Sequence, residues 1–182
     1  MPPIKPTKDD VADALNRTVP DLIAPDLRIL FCGINPGIYS GATRLHFARP
    51  GNRFWKVLYH SGFTDRQLDP SEGRELLESG CGITCFVSRT TARADELSKA
   101  EFVEGGKVLL EKLKKYRPKM LAVLGLGAYR TAFGRPKAAV GLQAETFGDT
   151  RIWLLPNPSG LNANYQLDDF VRLFSDLKNA VR

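Results

Sequence analysis

The run MLAVL at residues 120–124 constrains the fold more than any other feature, because it is wholly apolar and stops at Gly125. Five apolar residues without alternation are typical of a strand that is buried on both faces of a parallel sheet. Residues 27–31 and 151–155 form similar runs. We therefore predict three buried strands of this kind.

Helical patterns lie between and beyond these strands. The longest covers residues 100–116 and places Val108, Leu109 and Leu113 on its predicted inner face. Strands that alternate with helices predict an α/β fold with a largely parallel central sheet, and 182 residues fit one domain. The remaining predicted helices cover residues 8–15, capped by Thr7, and residues 52–60, 70–77, 128–133 and 167–181.

The charge balance favours an anionic partner. Lys and Arg number 26 against 20 for Asp and Glu, a net charge of +6. Nucleic acid is the first candidate for such a surface, although a basic protein that simply stays in solution has the same balance.

The three cysteines, Cys32, Cys81 and Cys85, match no zinc spacing and are too few for a four-cysteine iron–sulfur cluster. They are typical of reduced thiols in the cytosol. No apolar run approaches the roughly 18 residues of a membrane span. No signal core follows residues 1–5, so we expect a soluble, cytoplasmic protein that makes no membrane contact.

Two Asn-Pro turns mark the expected ligand site. Ligands of open α/β sheets bind beyond the carboxyl ends of the strands, where loops 33–52, 125–127 and 156–161 begin. Asn35 precedes a proline in the first loop and Asn157 in the third. Turn chemistry alone explains one such motif, but two at strand ends favour a site. The middle loop lacks the third glycine of a dinucleotide fingerprint, so a nucleotide-binding protein is the weaker alternative.

The loop after the first strand also contains Phe47, which Arg44, Arg49 and Arg53 flank. An aromatic residue in a basic loop is either a satellite contact of the core or a platform on which a nucleic-acid base stacks. His46 beside it has no partner that the sequence indicates, and we expect it at the surface.

Taken in order, these motifs resemble the mismatch-specific uracil/thymine DNA glycosylases, a branch of the uracil-DNA glycosylase superfamily. The resemblance begins near residue 22 and leaves residues 1–21 as an N-terminal extension of the single domain 1–182. It implies a three-layer α/β/α fold with a short, mostly parallel central sheet. The matching segments are residues 33–37, 52–56, 61–68, 89–91, 97–99, 105–106 and 155–161.

The resemblance implies a base-excision repair enzyme. It would flip uracil, or thymine opposite guanine, out of double-stranded DNA and hydrolyse the N-glycosidic bond, leaving an abasic site. The implied enzyme is a monofunctional, monomeric glycosylase without metal or organic cofactor, of bacterial type and acting at the nucleoid. The alternative from another class is a module that binds lesions or abasic DNA and has little catalytic activity.

The resemblance also assigns residues to roles. Asn35 matches the residue that holds the attacking water, and Phe47 matches the aromatic that stacks on the base. Asn157 matches a second amide near the flipped nucleotide. The implied pocket wall consists of Ile34, Tyr39 and Ser40, and the implied DNA wedge of Ser159, Gly160, Leu161 and Asn162.

Two positions depart from the family pattern. No arginine stands near Ala163, where some relatives carry one in the wedge, which weakens the expectation of strict guanine reading. Asp95 stands where relatives often lack a carboxylate. It is a candidate catalytic residue that would activate water or stabilise a cationic sugar together with Asn35. The alternative without a catalytic role is that Asp95 is a helix cap or a solvated charge. This alternative is favoured because Asp is common at caps.

Overall fold

The computed structural model, which describes residues 5–182, contains one five-stranded sheet in the order β2-β1-β3-β5-β4. Neighbouring strands from β2 to β5 run parallel, and only β4 is antiparallel, to β5. The predicted apolar runs became β1, β3 and β5, which confirms the mostly parallel sheet. The strands are β1 Ile29–Gly33, β2 Cys81–Cys85, β3 Met120–Leu124, β4 Gly141–Phe147 and β5 Thr150–Leu155.

The helices cover both faces of the sheet. Alternate residues of β1 face opposite sides: Phe31 packs in the cluster with α3 and α7, and Leu30 in the cluster with α5 and α6. The α/β/α architecture is therefore confirmed. The helices are α1 Lys8–Ala12, α2 Ile38–Thr43, α3 Phe54–His60, α4 Glu75–Glu78, α5 Lys99–Tyr116, α6 Leu126–Phe133 and α7 Leu167–Ala180.

The prediction for the inner face of α5 was wrong at Val108, which is 47% exposed. Gly105 and Gly106 take its place, and a side chain at Gly105 would collide with the Phe86 carbonyl. The buried stripe therefore runs from these glycines to Leu109 and Leu113. Val108 precedes Leu109 by one residue, which turns it about 100° away around the helix.

Other boundaries moved for local reasons. The predicted helix 70–77 is split into a 3-10 turn, Pro70–Glu72, and the helix α4. Gly73, which follows the 3-10 turn, is buried, and a Cβ at this position would lie 2.8 Å from Leu22 Cδ1. The predicted loop 33–52 contains the short helix α2. No helix within residues 5–182 combines the length and apolar character of a membrane span.

The described part of the N-terminal extension, from residue 5 onward, packs against the rest of the domain. Ala14 is fully buried, and the hydroxyl of Thr90 donates to the Ala14 carbonyl. The backbone N–H of Thr90 donates to the Arg17 carbonyl at 2.8 Å, and that of Asn16 donates to the Thr90 carbonyl at 3.2 Å. Hydrogen bonds from the extension thus hold the segment that follows β2 in place.

Candidate active site

A cavity of about 590 Å³ opens at the carboxyl edge of the sheet. The segments that follow β1, β2 and β5 line it, as expected for parallel strands that end at one edge. Tyr39 and Gly160 are the predicted site residues that do not border it: Tyr39 lies within α2, and Gly160 abuts the Gly51 carbonyl. Those that do are Ile34, Asn35, Ser40, Phe47, Asp95, Asn157, Ser159, Leu161 and Asn162.

A larger cavity of about 790 Å³ lies at the opposite edge, where β3 begins and α7 ends. None of the predicted site residues borders it. We assign the site to the smaller cavity, because its polar groups converge from three strand ends.

The Asn35 side chain is fixed through its nitrogen. Nδ2 donates to the Thr91 hydroxyl at 2.8 Å, to the Arg89 carbonyl at 3.0 Å and to the Pro36 carbonyl at 3.2 Å. Two of these partners only accept, so they determine which end of the amide is the nitrogen. Oδ1 accepts no hydrogen bond from residues 5–182, where the only buried side-chain polar atom without a partner is Trp153 Nε1. The amide oxygen is therefore open to solvent.

The segment that holds Asn35 is itself braced. The Arg89 guanidinium pairs with Glu101 of α5, Nε to Oε1 at 2.5 Å, and donates to Asn16 Oδ1 at 3.3 Å. Hydrogen bonds from Arg89 and from the Ser98 backbone lower the pKa of Glu101 to about 2. Two of the three acceptors of the Asn35 amide, the Arg89 carbonyl and the Thr91 hydroxyl, thus belong to a segment held by both α5 and the extension.

Phe47 lies with its backbone in the left-handed region, at φ 52°. Its ring stacks on Phe54 with centroids 4.1 Å apart, and a side chain at Gly33 would lie 3.4 Å from the ring. The Trp55 indole donates to the carbonyl of His46, the preceding residue, at 3.0 Å. A strained conformation of a non-glycine residue beside a cavity is typical of a functional site.

His46 lies in the interior, contrary to the expectation of a surface residue, and is only 5% exposed. Its Nε2 lies 2.7 Å from the Pro20 carbonyl, so that nitrogen carries the proton. Burial lowers the pKa of His46 and keeps the imidazole neutral beside the cavity. The sequence held no signal for this contact, because the acceptor is a backbone carbonyl from a region outside the resemblance.

Cys85 also borders the cavity. Burial raises the pKa of its thiol to about 12, so the sulfur stays protonated at neutral pH. A protonated thiol is a poor nucleophile, so we do not assign the attacking group to Cys85.

In the second Asn-Pro turn the amide oxygen, and not the amide nitrogen, bonds to the protein. Asn157 Oδ1 accepts from the Ser159 backbone N–H at 3.0 Å. No acceptor among residues 5–182 takes a hydrogen bond from Asn157 Nδ2, which leaves a donor at the cavity. Beyond this turn, Leu161, which the resemblance assigns to a DNA wedge, is 72% exposed.

Asp95 stands at the rim of the cavity. Its side chain is 70% exposed, and its Oδ1 lies 3.1 Å from Arg93 Nε. The cap alternative was wrong, because Arg93 caps the 3-10 turn Ala94–Glu96 and Ser98 caps α5. The solvated-charge alternative describes its placement.

The site therefore combines an oriented amide oxygen, an aromatic ring and a protruding apolar side chain, and the uncharged side chains of His46 and Cys85 border the same cavity. Among residues 5–182, no group of three or more His, Cys, Asp or Glu side chains is arranged to hold a metal ion. In such a site an amide oxygen can orient a neutral nucleophile, and an aromatic ring can stack on a flat ring system.

A family model described as "Uracil DNA glycosylase superfamily" matches residues 20–178. The match covers most of the 182 residues, so the chain belongs to the uracil DNA glycosylase superfamily. It is accordingly a DNA glycosylase, a hydrolase of base-excision repair that acts on damaged bases in DNA.

Proposed function

We propose that this glycosylase is of the mismatch-specific type and removes uracil, or thymine opposite guanine, from double-stranded DNA. One observation carries the proposal: the Asn35 amide, which borders the cavity, is anchored through its nitrogen, while its oxygen has no hydrogen-bond partner among residues 5–182. The proposal includes monofunctional action without metal or organic cofactor. It also includes one domain over 1–182, a monomeric state and a cytoplasmic location at the nucleoid.

The target base leaves the stack first, which costs a few kcal/mol and least at a mismatch. Leu161 fills the hole that the base leaves, because an exposed apolar side chain at a loop tip can replace base stacking. Phe47 stacks on the extruded base, and Asn157 Nδ2 donates to the flipped nucleotide. Ile34 and Ser40 form the pocket wall.

Asn35 Oδ1 accepts a hydrogen bond from water and orients its oxygen toward the sugar. The bond between C1′ and the base nitrogen breaks, and the electron pair leaves with the base. The water oxygen then bonds to the cationic C1′, and the proton that it releases neutralises the departing base. An amide is a weak base, so Asn35 contributes orientation, for which a rigid and partly dehydrated pocket is effective.

Asp95 is a second proposed participant. An ionised carboxylate near the cationic sugar would stabilise it, provided that Asp95 exchanges its contact with Arg93 for one inside the cavity. Full activity of Asp95→Ala on uracil, thymine and other damaged pyrimidines opposite guanine would exclude this role.

The direct test uses a duplex with one uracil opposite guanine. After incubation with a stoichiometric amount of enzyme, alkali should cleave the uracil strand at the abasic site. An intact strand after alkali would contradict the proposed activity.

A lesion-binding module with little catalysis is the second candidate. The exposure of Asp95 and the protonated state of Cys85 favour it, since neither supplies a general base inside the cavity. Tight binding to uracil-containing or abasic duplex without base release would support this candidate.

A further inference from the structure

Arg53, the residue that precedes α3, contacts the wedge segment, which we define as residues 157–165. Its guanidinium donates to the carbonyls of Tyr165 at 2.7 Å, Ser159 at 2.6 Å and Asn162 at 2.9 Å. Nε and the backbone N–H both point to the Pro158 carbonyl, at 3.4 and 3.1 Å. One side chain thus gathers four carbonyls from a segment without regular structure.

The guanidinium is held from its other side by an aromatic ring. Its central carbon lies 4.6 Å from the centroid of Phe170, which is fully buried in α7. Among residues 5–182, no carboxylate forms a salt bridge with Arg53. The guanidinium of Arg53 therefore uses its N–H groups to bond backbone carbonyls. A lysine ammonium has fewer donors and a different geometry, so it cannot form the same set of hydrogen bonds.

The tip of the wedge segment has little else to hold it. Asn162 donates to Ser159 and to Asn157, and these bonds close only the local turn. Leu161 is exposed, so no apolar packing fixes the tip. Hydrogen bonds from a cation to carbonyls are stronger than neutral ones, which makes Arg53 the main polar link between the segment and the core, beside the packing of the Tyr165 ring on Phe170.

We propose that Arg53 is a positioning residue that holds the wedge segment in the conformation that presents Leu161 to DNA. A wedge ordered before contact enters the base stack without a further loss of conformational entropy. This inference rests on the proposed function in one respect, that Leu161 enters the stack. It assigns Arg53 no direct contact with base or phosphate.

The first experiment compares Arg53→Lys with Leu161→Ala on two substrates, uracil opposite guanine in a duplex and uracil in a one-base bulge. The bulged uracil has no pairing partner, so its extrusion costs less and depends less on a wedge than extrusion of the paired uracil. Single-turnover rates of Arg53→Lys should fall about tenfold or more on the duplex and little on the bulge. The variant that combines Arg53→Lys and Leu161→Ala should lose no more of its rate on the duplex than Leu161→Ala alone, because both changes remove the action of the same wedge.

A matched control is Arg74→Met, which removes one exposed positive charge from the residue that precedes α4. It should retain the wild-type preference for duplex over bulge. Equal losses of Arg53→Lys on both substrates, or additive losses in the double variant, would overturn the proposal.

Hydrogen exchange supplies a readout that does not depend on catalysis. Backbone amides of residues 159–165 should exchange faster in Arg53→Lys, while those of residues 89–91 stay protected. Unchanged exchange in the wedge segment would overturn the proposal. If wild type released no uracil from either substrate, the proposed function would fail, and the exchange result would still decide on Arg53. Arg53→Gln serves as the second variant should Arg53→Lys prove unfolded by circular dichroism.

Discussion

The two Asn-Pro turns are alike in sequence and opposite in hydrogen bonding. Asn35 uses its amide nitrogen for three protein acceptors and leaves its oxygen open, whereas Asn157 uses its oxygen within the turn and leaves its nitrogen open. One motif, placed at two strand ends, thus supplies an acceptor and a donor to the lining of the same cavity. The partners, and not the motif, decide the role of each amide.

The turns also differ in what holds them. Asn35 bonds to Arg89 and Thr91, which lie far along the chain on either side of Thr90, and the N-terminal extension holds the backbone of Thr90 by hydrogen bonds. Asn157 bonds within its own turn, and Arg53 holds the segment that follows. The first turn is part of a framework of long-range hydrogen bonds, and the second leads into a segment whose polar contacts with the core come from Arg53.

The largest difference between the turns should come from replacing each amide by a carboxylate. In Asn35→Asp an oxygen replaces the donor that faces the Arg89 and Pro36 carbonyls, so the free energy of unfolding should fall by about 1–3 kcal/mol at pH 7. Asn157→Asp keeps the oxygen that accepts from Ser159, and the change should stay within about 0.5 kcal/mol. Urea denaturation measures both. Equal destabilisation would break the comparison.

A smaller effect should follow from removing one partner of the Asn35 amide. Thr91 is 1% exposed, and Thr91→Val keeps its shape without the hydroxyl that Nδ2 contacts. The single-turnover rate should fall about tenfold, equivalent to about 1.4 kcal/mol, while duplex binding is retained. Thr43→Val, which removes a hydroxyl bonded within α2, is the matched control and should leave the rate unchanged. A rate for Thr91→Val equal to that of the control would show that the anchor is dispensable.

The smallest effect concerns His46. Its pKa is lowered by burial from an ordinary value of 6.5, with Asp21 and Lys112 as the nearby charges that act on it in opposite directions. Between pH 6.5 and the lower pKa of His46 in the folded state, the unfolded chain therefore binds more of this proton than the folded chain does. In this range the free energy of unfolding should fall as the pH is lowered. The slope should be smaller than about 1.4 kcal/mol per pH unit, which is the value for the uptake of one whole proton.

Urea titrations at pH 7.5 and 5.5 measure this effect. His46→Gln should remove part of the pH dependence, and His60→Gln, a change at the exposed end of α3, should not affect that part. Identical pH dependence in wild type and His46→Gln would contradict the account of His46.

The sequence predicted the frame of the molecule better than its details. Apolar runs identified β1, β3 and β5, and the parallel arrangement brought both Asn-Pro turns to one edge. The apolar pattern failed at β2, whose residues CGITC include a glycine and a threonine, and at β4, which alternates along the sheet edge.

The contacts that organise the site lay beyond the reach of sequence patterns. Arg53 stood beside Phe47 in a basic loop, yet its partners are carbonyls more than 100 residues away. His46 bonds a carbonyl of the extension, and Asn35 bonds one from the segment after β2. Backbone carbonyls carry no residue identity, so a pattern of side chains cannot reveal them.

The most direct test of the central claim measures rate and binding together for Asn35→Ala and Asn157→Ala. Single-turnover release of uracil from duplex gives the rate, and binding to a duplex with an uncleavable uracil analogue gives the Kd. Asn35→Ala should lose about 100-fold or more in rate with a Kd close to wild type, because the oriented water is lost. Asn157→Ala should instead weaken binding and retain most of the rate at saturation. A wild-type rate for Asn35→Ala, or equal losses of its rate and binding, would contradict the assignment of the Asn35 oxygen to the chemical step.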